Sequence, residues 1–407
     1  MESYNELKKV CNINSSNLVR VVDDFLAPYA AGQSKVAERV DKLFSRYKSV
    51  IGKLPSEWQS RAVFQYLAHS IFKEEGLIRV YLKHSALKRL TRYEMAFLEF
   101  QADHPWKFRF STILSNPVED FYLMEDVFSG EEFLLYSPAV TSLLKTQKAA
   151  LWFSLVLFNG SCSQTYGPVV PFNGFEADDI YFFATEVNHL IEDEEDLMSE
   201  IDSNPLPFML LISGSNLPVL VSKHHRMLHV MAETDVDTLD TRKFKSSFKT
   251  AFSHGVFRLT LKRWGGPPHF AEAFYDENEK LLLLSAMTER GFAELSAALR
   301  ACGLEIQPDP DVRVSPTMVS TASDILGRKI DLLKYSGLFE VDQSPEKQEG
   351  LDRLNKLMYL ALPAINAGVQ PDIMSIAEKT GYDPETAADI IRQITEQINK
   401  MGRSAKR

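Results

Sequence analysis

Five basic side chains, Arg79, Lys83, Lys88, Arg89 and Arg92, fall within IRVYLKHSALKRLTRY (78–93), where no acid intervenes and Tyr81 and His84 are interleaved. On one helix Arg79, Lys83 and Arg92 share a broad face, and cations so placed meet phosphates by releasing condensed counterions. The same face also suits an acidic surface on this chain or on a second copy. These five are the candidate polyanion-binding residues, and a solvated or intramolecular role is the expected one.

Other chemistry-bearing types fail at their spacing. In Lys223-His224-His225-Arg226 with His229, two imidazoles stand four apart, one helical turn and a metal-ligand spacing. The surrounding LPVLVSKHHRMLHVMAE alternates like a strand, which separates such residues by about 13 Å. Asp235-Val236-Asp237 resembles the opening of an aspartate-dependent phosphatase site, yet the Thr needed four positions after the first Asp is Leu239. A calcium loop needs a Gly and a final Glu absent here. This stretch is expected to be a loop whose end caps the next helix. GSCSQTYG (160–167) gathers Ser161, Cys162 and Ser163 without the G-x-S-x-G of a nucleophile elbow. Neither G-x-x-x-x-G-K nor G-x-G-x-x-G occurs, and the acids at 192–196 are expected on a solvated helix face. No catalytic, cofactor-binding or metal-ligating residue is assigned.

The C-terminus carries the sharpest spacing. DIMSIAEKTG (372–381) reads as a short helix stopped by Gly381, and Pro384 opens a second. Ile376, Ala377, Gly381, Ala388 and Ile391 follow the order of a helix-turn-helix unit. Its second helix shows Glu385, Asp389, Arg392, Gln393 and Glu396, with no excess of positive charge to carry into a DNA groove. A packing or dimerising hairpin is expected.

These segments sit in a chain of 407 residues, more than one core usually supports. Three- and four-residue apolar spacing predicts four helices between Ser15 and Asp103, the first stopped by Pro28 and the fourth spanning 77–101. After His104-Pro105-Trp106 the period changes to short aromatic and branched strands with turns at Asn116-Pro117 and Ser129-Gly130. A helix over 175–203, strands at PFMLLIS, LPVLVS and RMLHVMAE, a helix over 239–251, three more strands and the helix GFAELSAALRACG come next. QPDPDVRVSPT from Gln307 reads as a linker, and DILGRKIDLLKY and later segments as helices. The fold class is α+β multidomain: helical bundle 1–104, small antiparallel β-barrel 105–174, α+β domain with an acidic helix 175–306, and linker plus C-terminal helical segment 307–407, including the helix-turn-helix-like hairpin 372–401.

Charge is polarised. Net charge is −10 overall, but it is +6 over 1–110, −17 over 111–240 and +1 over 241–407. So acidic a centre repels phosphate backbones, which disfavours nucleic acid and confines any such contact to the N-terminal third. The three cysteines are spread too widely for a disulfide framework or zinc knuckle. MESYNELKKVCNI lacks the apolar core of a secretory signal, and the longest apolar run, AALWFSLVLF (149–158), is too short for a membrane span. A cytoplasmic protein with free thiols is expected.

Two segments carry a resemblance. MEDVFSGEEFLLYS, with Asp126, Ser129, Gly130, Glu131 and Glu132, is similar to a D-x-x-[ST]-G-E-E hairpin of uncharacterised bacterial multidomain proteins that often end in a Cys-rich tail like that of the SecA translocase. KLLLLSAMTERGFAELSAALRACG, with Ser285, Arg290 and Leu295, looks like the strand-then-helix unit late in those proteins. The resemblance implies a domain order and no activity; this sequence ends in KMGRSAKR, without the tail. The leading expectation is a non-enzymatic interaction or regulatory protein with a protein partner or self-association. A nucleic-acid binder using 78–93 and 372–401 is the alternative, and a hydrolase with a site assembled from distant residues the third.

Overall fold

The first helix starts well ahead of Ser15 in the computed structural model, which describes residues 2–32, 34–266, 268–306, 309–339, 345–366 and 369–404. Helix α1 (Glu2–Asn17) runs into a π-helical segment, Leu18–Leu26, and then α2 (Ala27–Ala31). The widened turn closes with the Ala27 N–H on the Val22 carbonyl. Pro28 follows directly after the widened turn, and the helix continues through it instead of stopping. Leu18, Val21, Val22 and Leu26 are buried. Next come α3 (Ser34–Arg46), α4 (Lys48–Ile51) and α5 (Ser56–Phe72).

The expected long helix over 77–101 is broken. α6 (Ile78–Tyr81) is one turn, a 3-10 turn covers Ser85–Arg89, and α7 (Arg92–Asp103) restarts behind Thr91. The Thr91 hydroxyl accepts the Glu94 N–H while the Glu94 carboxylate accepts the Thr91 N–H, a capping box that fixes the new start. Ile78, Tyr81 and Leu87 are buried from separate turns, so no single apolar stripe forms.

Five strands then close a barrel: β1 (Lys107–Val118), β2 (Phe121–Asp126), β3 (Glu132–Tyr136), β4 (Leu151–Phe158) and β5 (Ser163–Phe172), with α8 (Pro138–Leu144) between β3 and β4. The order is β1-β2-β3-β5-β4. It is not wholly antiparallel, because β3 and β5 run parallel at Leu135–Ser163 and Tyr136–Gln164. Tyr122, Met124, Leu135, Val140, Trp152 and Val156 fill the interior. Phe108, Phe110 and Phe153 face outward into a larger core shared with the N-terminal helices.

The acidic segment forms two helices, not one: α9 (Ala177–Val187) and α10 (Glu194–Ser203). Asp193 caps α10 by accepting the Asp196 N–H, and acids in a first turn suit the positive helix end. PFMLLIS is helical rather than a strand, as α11 (Pro205–Met209) and a 3-10 turn over Leu210–Gly214. A short apolar run has no period of its own, and Pro205 favours a helix start.

A hairpin of β6 (Val221–Ser222) and β7 (His225–Arg226) turns on Lys223 and His224, both in the left-handed region. The main sheet contains β8 (His229–Asp235), β9 (Phe248–Ser253), β10 (Val256–Gly266), β11 (His269–Asp276) and β12 (Leu281–Ala286), all antiparallel neighbours. After α12 (Glu289–Ala301), β13 (Val312–Val314) joins its edge beside β8, giving the order β13-β8-β12-β11-β10-β9. Phe292, Leu295 and Leu299 of α12 share a core with Val230, Leu259 and Leu284. The expected helix over 239–251 is a 3-10 turn, Thr241–Phe244, followed by β9, because pairing with β10 overrides local propensity. Gln307 and Pro308 of the expected linker lie outside the described residues. α13 (Pro316–Leu326) ends at left-handed Gly327, so DILGRKIDLLKY is helical only at its start.

The chain divides into two compact units, 1–333 and 334–407. In the second, α14 (Pro345–Asn366), α15 (Ile373–Thr380) and α16 (Pro384–Ser404) enclose Leu357, Ala361, Ile376, Ala377, Ala387 and Ile391. Ala387, rather than Ala388, is the buried alanine. The side chains of residues 396–401 lie outside those described. No helix among the described residues is long and apolar enough to cross a membrane.

Candidate functional site

The basic residues stand on three short elements. Arg79 pairs with Asp103 at 2.9 Å and donates to the Ala102 carbonyl, a contact between α6 and the end of α7. Lys83, Lys88, Arg89 and Arg92 are exposed, and none forms an ion pair among the described residues. The broken backbone removes the single helical face on which Arg79, Lys83 and Arg92 were to align. Exposed Val80 and Tyr93 border the segment.

Polar density collects elsewhere, in a cleft of about 610 Å³ whose lining includes Lys73, Arg109, Asp126, Glu131, Ser199 and Asp202. Arg109 occupies an inward position of β1, between the outward Phe108 and Phe110. Its guanidinium lies 4.9 Å over the Phe133 ring, 2.7 Å from Glu131 and 3.7 Å from Asp126. Asp126 also accepts the N–H groups of Phe128 and Ser129, and left-handed Gly130 completes the turn. The residues of the D-x-x-S-G-E-E hairpin thus build a turn and neutralise Arg109.

At the other wall, His69 of α5 meets Asp202 of α10 at 2.8 Å, and Lys73 donates to the Asp202 carbonyl. Burial holds the His69 imidazole below its ordinary value, with Asp202 opposing. The ring is 1% exposed while Asp202 is 32% exposed. A general-base dyad needs the reverse, a buried acid and an imidazole open to the substrate. This pair is a latch between two helices.

A second constellation joins α9, β7, β13 and α12 around a cavity of about 260 Å³. Arg226 pairs with Glu176 and Asp179, and Arg313 with Asp178 and Glu289. Asp179 accepts the Ser315 N–H at 2.7 Å, and burial pushes its carboxyl up to about 6. Every arginine of this network already faces carboxylates. Ser285 and Leu295 of the second resembling segment are buried packing residues, and Arg290 is exposed and pairs with Glu294 along α12.

His225 and His229 lie on different strands. His269, missed in the sequence, stands 6.1 Å from the His225 ring and 5.6 Å from Trp264. Both of its ring nitrogens are buried without a hydrogen-bond partner among the described residues, and burial with nearby Lys223 and His225 lowers its pKa. Among the described residues no group of three or more His, Cys, Asp or Glu is placed to hold a metal ion. Glu233–Asp235 continue β8 instead of forming a loop, and Asp240 caps a 3-10 turn in place of the expected helix.

His69, Arg109 and Asp202 were not singled out from the sequence. Arg109 had a signal: a charge at an alternating position of an apolar strand. Asp202 had none, since its partner is remote in sequence. Set against known proteins, the chain matches no family, no curated protein and no solved structure.

Proposed function

We propose that this chain is a non-catalytic interaction protein that works through a protein partner or a second copy of itself. The observation that carries this reading is the pairing within its polar clusters: Arg109 faces Asp126 and Glu131, His69 faces Asp202, and Arg226 and Arg313 face four carboxylates, with the Arg226 Nε left buried and without a partner among the described residues. Catalysis needs an acid, base or nucleophile presented to substrate, and these groups are spent on one another. Light scattering after size exclusion, with retention of partners on the immobilised chain, tests it. A strict monomer that retains nothing would overturn the reading.

A second reading, polyanion binding, rests on the exposure of Lys83, Lys88, Arg89 and Arg92, which have no carboxylate partner among the described residues. The barrel has the strand order of the oligonucleotide-binding class, whose ligand face is the outer side of the second and third strands. Here Tyr4, Leu7 and Cys11 of α1 cover Phe121, Leu134 and Tyr136 on that side, so this reading relies on 79–92 and not on that face. The 372–401 hairpin assists in this reading only weakly, since Arg392 of α16 is held by Asp389 at 3.0 Å. Four phosphate contacts imply a loss on the order of 100-fold in affinity between about 50 and about 200 mM salt. Absence of binding to duplex and single strands at low salt would remove this reading.

A further inference from the structure

Two of the three cysteines, remote in sequence, meet. Cys11 of α1 and Cys162 of the β4–β5 loop are buried with their Sγ atoms 3.4 Å apart. The Asn159 side-chain amide lies 3.4 Å from the Cys11 sulfur and 3.6 Å from the Cys162 sulfur. Its carbonyl oxygen accepts the N–H groups of Ser161 and Cys162, which holds the loop in place. Gln164 ties the same loop to α1 through the Cys11 carbonyl and Asn14. The sulfurs are therefore positioned from both sides, and the Cys302 thiol lies on another element, donating to the Lys243 carbonyl. Two thiols at van der Waals distance need only close to about 2.05 Å to bond. Polarity is also uneven: hydrogen bonds from Cys11 and Asn159 lower the Cys162 pKa, whereas hydrogen bonding to Cys162 and burial raise that of Cys11.

We propose that Cys11 and Cys162 are a redox pair that closes to an intramolecular disulfide and so staples α1 onto the outer face of β2 and β3. With hydrogen peroxide as oxidant, the Cys162 thiolate attacks one peroxide oxygen and becomes a sulfenic acid as the O–O bond breaks, and the departing hydroxide takes up the proton Cys162 gave up and leaves as one water. The Cys11 sulfur then displaces the hydroxyl, which departs as a second water with the Cys11 proton. Two thiols and one hydrogen peroxide thus give one disulfide and two waters. A low-molecular-weight thiol reverses it and is itself oxidised to a disulfide. Closure links residues 11 and 162 and removes unfolded-chain entropy over the long loop between them.

The test uses the full chain and hydrogen peroxide. Titratable thiols in denaturant should fall from three per chain to one, intact mass should drop by two hydrogens, and a non-reducing digest should join the Cys11 and Cys162 peptides. Dithiothreitol should restore all three thiols. Cys302→Ser should react at an unchanged rate, and Cys11→Ser should stop at a Cys162 sulfenic acid that dimedone traps. Should Cys11→Ser fail to fold, the wild-type digest and Cys302→Ser decide. Three surviving thiols under peroxide that oxidises the urea-unfolded chain would overturn the proposal. So would a bridge through Cys302 or between two chains.

Discussion

A guanidinium at an inward barrel position is tolerated only where carboxylates and a ring face answer it, and Arg109 has Asp126, Glu131 and Phe133. Arg109→Met keeps the bulk but leaves buried Asp126 without its cation, so a loss of about 2 kcal/mol is expected in denaturant unfolding. An unchanged midpoint and slope would show that the turn N–H groups alone hold Asp126. Two titrating side chains pull in opposite directions. The folded-state pKa of His69 is depressed, so the unfolded chain binds more protons at acid pH; this contribution is full above about 6.5 and is lost as pH falls. Asp179 is raised to about 6, so its contribution is full below about 4 and is lost as pH rises through about 6. Thermal midpoints of His69→Gln should fall less on acidification from pH 6.5 than those of the parent. Those of Asp179→Asn, which keeps an acceptor for the Ser315 N–H, should gain on the parent as pH rises from about 4 to about 6.5. Differences that stay flat across these windows would count against both assignments.

Elements were legible where a period or a stop signal was strong. The strands from Phe108 to Phe158 and from Val256 to Ala286, α12, and the α15–Gly381–α16 sequence all followed from alternation, caps and glycine. The failures have two causes: a local pattern that non-local contacts override, and a local start signal passed over. Phe244 and Phe248 repeat at helical spacing, but each packs beneath the main sheet, where Phe248 pairs as β9. Thr91 and Glu94 held the signature of a helix start inside the segment read as continuous. Thr91→Ala should cost about 1 kcal/mol, measured by urea unfolding, and loosen the basic segment just before it. Another tight point is Gly214, where an added Cβ would lie 2.4 Å from the Thr321 hydroxyl of α13 and 2.8 Å from the Phe175 ring. Gly214→Ala should therefore destabilise by about 2 kcal/mol or more by forcing α13 off the 3-10 turn. A variant as stable as the parent would mean that α13 yields without loss.

At the scale of the molecule, the positive front does meet the negative centre, though through residues other than those the sequence suggested. Lys8 reaches Asp120 at 2.9 Å, Lys73 reaches Asp202 at 4.0 Å, and Arg109 reaches Asp126 and Glu131. Net charge by thirds foresaw the attraction; which cations carry it depends on how α1, α5 and β1 lie against the barrel, and spacing along the chain does not encode that. Lys83, Lys88, Arg89 and Arg92 take no part, so their charge is free to act outward. Reversing all four to Glu should therefore change unfolding free energy by no more than about 0.5 kcal/mol per site, the scale of ordinary surface substitutions. The same variant should lose whatever salt-sensitive oligonucleotide binding the parent has, because long-range attraction scales with surface charge. Stability and binding thus separate the two roles these cations can hold. A large stability loss would mean that they hold the acidic centre after all, and unchanged binding would mean that the polyanion contact lies elsewhere.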